Sequence, residues 1–156
     1  MRLPEEKKIA YLINSADYNN GVDADSINMK NCHRATFILL FGAITGDAVL
    51  TVNSGATDGA KTSALTFHYA VGGAACGSAN SDVLAADASS AALTLTAATY
   101  ANKMLIVEVN AADMDMANEE EWLTLAISDA ASAGILHCAA ILEPRYTGNL
   151  SASVLA

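Results

Sequence analysis

Ala48-Val49-Leu50-Thr51-Val52-Asn53 reads with a period of two, which places Ala48, Leu50 and Val52 on one face. Successive side chains of an extended chain point to opposite sides, so this is a strand with one face toward a core. The pattern recurs outward from it. Leu65, Phe67, Tyr69 and Val71 alternate with Ala64, Thr66, His68 and Ala70; Leu93 and Leu95 interleave with Thr94 and Thr96. Leu105, Val107 and Val109 alternate with Ile106, Glu108 and Asn110, and Leu123, Leu125 and Ile127 with Thr124, Ala126 and Ser128. Ser26 to Lys30 is a shorter candidate. Two apolar runs, Ala35 to Ile44 and Gly134 to Leu142, lack polar alternation, which predicts strands covered on both faces.

Turn chemistry separates these segments. Asn19-Asn20-Gly21, Thr45-Gly46-Asp47, Thr57-Asp58-Gly59, Gly72-Gly73 and Gly77 to Asp82 favour reversals, because Gly, Asn and Asp tolerate positive φ. The expected fold is all-β: a single-domain two-sheet β-sandwich, jelly-roll-like, of about eight strands with extended terminal arms. Helical turns are expected only at Ala111 to Met116 and Asn118 to Trp122, where a structured loop fits equally well. The chain divides into an N-terminal arm and first strand (1–13), a sandwich body (14–146) and a C-terminal tail (147–156).

The chain has 156 residues, 53% hydrophobic and 16% charged, which suits one core and not two. About a fifth of the residues are Ala and only 6% are aromatic, so a thin, small-grained core is expected. Eight Lys and Arg against seventeen Asp and Glu give a net charge of -9, which argues against binding by neutralising phosphates; no nucleic-acid partner is expected. The ten-residue apolar run is about half of what a bilayer-spanning helix needs, so no membrane partner is expected either. Met1 to Lys8 carries charges of both signs and no apolar segment of a secretory signal, so the protein is expected to stay where it is made. Cys32, Cys76 and Cys138 form an odd, widely spaced set, expected as free and mostly buried thiols.

The candidate chemical motifs fail on spacing. Gly55 to Thr62 lacks the glycine before Lys61 that a phosphate-binding loop requires, and a strand follows it instead of a helix. The acidic groups Asp17, Asp23 and Asp25, and Asp113, Asp115 and Glu119 to Glu121, match no calcium-loop spacing and read as solvated loops. Cys32-His33 and His137-Cys138 put neighbouring side chains on opposite faces of a strand, so each pair offers one zinc ligand to a common point far more easily than two. No cofactor, metal site or catalytic residue is expected, and the chain is read as a non-enzyme.

The ends differ from the middle. Arg2, Lys7 and Lys8 are three of the eight basic residues, and the tail from Thr147 is uncharged. Ile9, Tyr11, Leu12 and Ile13 near one end, and Leu150, Val154 and Leu155 near the other, are apolar enough to be buried by a partner; frayed ends are the alternative. Trp122 lies out of register with Leu123, Leu125 and Ile127, either as an interface anchor or as a rim residue over the sandwich end.

Asp25-Ser26-Ile27-Asn28-Met29-Lys30-Asn31 running into His33 to Ile38, then Thr45-Gly46-Asp47 with Leu50 to Asn53, resembles small structural proteins encoded among the head genes of tailed bacteriophages. Val107 to Asp115, Leu123 to Asp129, and Ala140-Ile141-Leu142 with Pro144-Arg145-Tyr146 resemble the same group's closing strands. The resemblance implies a capsid decoration, or cement, protein on the capsid exterior of the virion, made in the host cytoplasm. Its partners would be the major capsid protein and itself, as a homotrimer. The expected capsid or subunit contacts are Arg2, Lys7, Lys8, Tyr11, Trp122, Arg145, Tyr146, Leu150 and Val154. The alternative is a carbohydrate- or receptor-binding sandwich of a tail or fibre.

Overall fold

A computed structural model describes residues 2–129, 134–150 and 152–156. Among these described residues, twelve strands form two antiparallel sheets. They are β1 (Lys8–Asp17), β2 (Val22–Asp23), β3 (Ile27–Asn28), β4 (Cys32–Ile44), β5 (Ala48–Gly55), β6 (Ser63–Ala64), β7 (Phe67–Val71), β8 (Ala88–Ser90), β9 (Leu93–Leu95), β10 (Met104–Asn110), β11 (Trp122–Ile127) and β12 (Gly134–Pro144). The first sheet runs β1-β12-β4-β10-β7-β8. In the second, β2 and β3 share one side of β11, β5 pairs its other side, and β6 and β9 share the far side of β5.

Counting each shared side as one lane and setting aside the hairpin β7–β8 leaves eight lanes, ordered 1-8-3-6 in one sheet and 2-7-4-5 in the other. This is the double Greek key of a jelly roll. The higher strand count has a local cause. After β6 the chain leaves the second sheet, adds the hairpin β7–β8 to the edge of the first at β10, and returns as β9.

The core lies between the sheets and is built by the alternation. Ala48, Leu50 and Val52 of β5 face Phe37 and Leu39 of β4, Leu105 and Val107 of β10, and Leu123 and Leu125 of β11 within one buried cluster. Large side chains dominate it: Tyr18, Phe37, Phe67, Ile27 and Met29 are fully buried, so the core is not small-grained. Much of the Ala falls instead on the exposed stretch between β7 and β10.

Two expectations change. β4 and β12 are covered on one face only: Phe37, Leu39, Leu136 and Cys138 are buried, whereas Leu40 and Ile135 stand about half exposed on the other face. The ends are also less free than arms. Residues 3–6 form a helical turn, α1 (Leu3–Glu6), and β1 continues past residue 13 to Asp17 along β12. A second helical turn, α2 (Ala97–Tyr100), has no counterpart in the sequence reading; of the two expected turns, Ala111 to Met116 contains a 3-10 turn at Ala111–Asp113, whereas Asn118 to Trp122 is loop running into β11, with a 3-10 turn at Met116–Asn118 just before it. Met1 of the arm and Ser151 of the tail lie outside the described residues.

Candidate functional site

The two ends of the chain meet. Lys8 Nζ donates to the carbonyl oxygens of Leu150 (3.1 Å) and Ala152. The Asn28 amide donates to Val154 O at 2.8 Å, and the Val154 side chain is buried against the chain's own core. Lys7 Nζ donates to Glu143 at 2.9 Å, and Arg145 Nε to the carbonyl of Cys32 at 3.3 Å. Lys7, Lys8, Arg145, Leu150 and Val154 therefore gather at one end of the sandwich, where the tail is strapped along β3. Leu12 and Ile13 turn inward across a bulge in β1, so the chain itself buries them. Arg2 is exposed and pairs with Glu5 at 3.2 Å, and Tyr146 is 74% exposed.

Electrostatics at this end are balanced. The hydrogen bond from Lys7, with the charges of Lys7 and Arg34, holds the Glu143 carboxyl below its ordinary range. Burial raises the Cys32 thiol, against the charges of Lys8 and Arg145. All three cysteines are free, and only Cys76 is exposed.

Tyr11 lies elsewhere, whereas Trp122 borders this end through its pairing with Asn28. Trp122 is half-buried at the start of β11, opposite Asn28 and Gly55. Tyr11 stands on the outer face of the first sheet, 55% exposed, its hydroxyl bonded to Asn14 and His137. The register builds a row across five strands there: Tyr11, Ala139, Ile38, Ile106 and Ala70. Ile9 and Ile141 flank it on one side, Leu40 and Met104 on the other. An apolar cavity of about 330 Å³ opens beside Leu40 and Met104. Apart from Ile9 and Tyr11, the sequence reading misses this surface, although its signal is present: the unalternating runs of β4 and β12 read as covered on both sides.

The second sheet has part of its outer face covered by the chain's own loop. Thr124 is buried there, bonded to Ser26 at 2.6 Å, and the loop after β5 closes over it, with the Gly59 amide on Ser26 Oγ at 3.0 Å. That loop is the stretch resembling a phosphate-binding motif, and it forms a hairpin into β6. Glu120, expected in a solvated run, is buried and accepts hydrogen bonds from Ser54 (2.6 Å) and Ser63 (3.1 Å). Among the described residues no group of three or more His, Cys, Asp and Glu is placed to hold a metal ion, and no helix is long and apolar enough to cross a membrane.

In comparisons with known proteins, the chain matches no protein-family model and no curated protein.

Proposed function

We propose that this protein is a non-enzymatic virion structural protein that cements the capsid exterior of a tailed phage by bridging major capsid subunits, acting as a homotrimer. The observation that carries the reading is the convergence of both chain ends on one end of a jelly roll, where tail carbonyls accept hydrogen bonds from the Lys8 side chain and from the Asn28 backbone amide. Such an end offers a shell surface Arg2, Tyr146 and the face of α1 from a body already ordered, so little conformational entropy is lost on docking. The resemblance to phage head proteins supports the same reading. Three linked copies turn weak single contacts into firm attachment, because the second and third bind at high effective concentration.

The test uses heads of the encoding phage prepared without this protein. Added protein is expected to co-sediment to saturation and to raise the temperature at which the heads open. Removing residues 2–6, which lie outside β1, is expected to weaken binding while far-ultraviolet circular dichroism stays unchanged. Absence of binding to heads, with recovery of the protein on tails or on glycans, would overturn the reading in favour of a receptor-binding module.

A further inference from the structure

We infer that the outer face of the first sheet is a contact between copies of this chain. The inference rests on the proposed function only for the number of copies, three; the contact itself is argued from the face.

The two sheets differ in what covers them. The chain folds its own loop over the outer side of the second sheet, through Ser26, Gly59 and Thr124. It leaves Ile9, Tyr11, Leu40 and Ile135 of the first about half exposed, with Ile38, Ile106 and Ile141 half-buried between them. β4 and β12 thus have the composition of strands buried on both faces, but the chain buries only one.

The size of the face suits an interface. Five strands about 4.8 Å apart, and eight residue steps of about 3.4 Å from Ile135 to Glu143, give a flat footprint of roughly 500 Å². Side-chain relief raises the accessible area toward the 800 Å² or so that one partner of a standard interface buries. The cavity beside Leu40 and Met104 supplies a socket for an anchoring side chain, and Tyr11 on the same face is a side chain of the kind that fills one.

Charge leaves this face as the place where a second copy can dock. With a net charge of -9, copies repel over most of their surface. The charged end of this face is nearly balanced within itself: Lys7 pairs with Glu143 at 2.9 Å, Arg34 lies 3.4 Å from Glu143 and 3.9 Å from Glu108, and Asp87 lies 2.9 Å from His68. A surface with an apolar centre and an internally balanced rim can meet a like-charged copy of itself. The β1 edge of the sheet is disfavoured for strand addition, because two register shifts interrupt β1 and Ser15 takes a positive φ of 50°. Copies therefore meet by the face and not along β1.

Sedimentation of the full chain tests this. At about 100 μM, where any micromolar contact populates its assembly, the wild-type chain is expected to sediment as an oligomer. L40E and Y11E are each expected to run as monomers with unchanged far-ultraviolet circular dichroism. T94E, an exposed position on β9 of the other sheet, is expected to keep the oligomer. A monomeric wild type, or an oligomer that survives both L40E and Y11E, overturns the inference whatever the heads bind. An oligomer that depends on Leu40 but fails to bind heads upholds the inference and counts against the proposed function instead.

Discussion

Tyr18 sits with none of its surface exposed, in the turn after β1, and its hydroxyl finds no hydrogen-bond partner among the described residues. A buried, unsatisfied hydroxyl costs about 1–3 kcal/mol. Tyr18→Phe keeps the ring, which lies against Gly134, and removes that cost. The variant is expected to be more stable than wild type by about 1 kcal/mol near neutral pH, a rise in Tm of roughly 2–4 °C for a domain of this size. Alkali provides a second readout. Burial, and then the neighbouring Asp17 charge, push the phenol from 10.0 up to about 12. The folded chain keeps the proton while the unfolded chain releases it above pH 10. Stability from this group is therefore full below pH 10 and is lost as the pH rises toward 12, by up to about 1.4 kcal/mol per unit. The advantage of Y18F should be wider at pH 11 than at pH 8 by about 1 kcal/mol. Cys138, which burial also raises to about 12, titrates alike in both chains and cancels. Urea unfolding at the two pH values measures both quantities. A Y18F protein less stable than wild type by 1 kcal/mol or more, with no widening in alkali, would refute the reasoning and mean that the hydroxyl is bonded.

Phe37→Ala, which empties a fully buried site at the centre of β4, should lower the unfolding free energy by about 3–5 kcal/mol in urea titrations. Glu120→Ala leaves the Ser54 and Ser63 hydroxyls without their acceptor and should cost about 1–3 kcal/mol, whereas Glu119→Ala, which removes an exposed carboxylate, should cost distinctly less. Gly55→Ala would bring a Cβ to 2.5 Å from that of Ala60 and should destabilise the loop over Thr124, seen as faster proteolysis within residues 56–62. A disulfide exchange reagent should modify Cys76 alone in the native protein and all three thiols after denaturation; rapid native labelling of Cys32 or Cys138 would contradict their burial.

The lanes of the sandwich were legible because each strand spells its inward face locally. Leu105, Val107 and Val109 need no knowledge of their neighbours to be read as buried. Features made by residues far apart in the chain were not legible. The bond from Lys8 to Leu150 joins positions separated by 142 residues, and no local pattern marks it. Glu120 looks like its exposed neighbour Glu119 until β5 and β6 bring two serines to it. The abundance of Ala misled for a related reason: a count carries no position, and much of the Ala lies on exposed loops. Of the expected contact residues, the sequence marked those at the two ends through charge and hydropathy. It could not divide them into Val154, spent on the chain's own core, and Tyr146, left in solvent. The outer face of the first sheet was visible as the unalternating runs of β4 and β12, but a run apolar on both sides does not say whether the second cover comes from the same chain.

Imaging intact particles of the phage proposed to encode this chain, at side-chain resolution, tests the central claim most directly. The account predicts a jelly roll on the outside of the shell at positions joining neighbouring capsid subunits, with the α1 and tail end toward the shell and Leu40 and Tyr11 covered by sister copies. Density for this chain on the tail, or particles that lack it altogether, would contradict the claim.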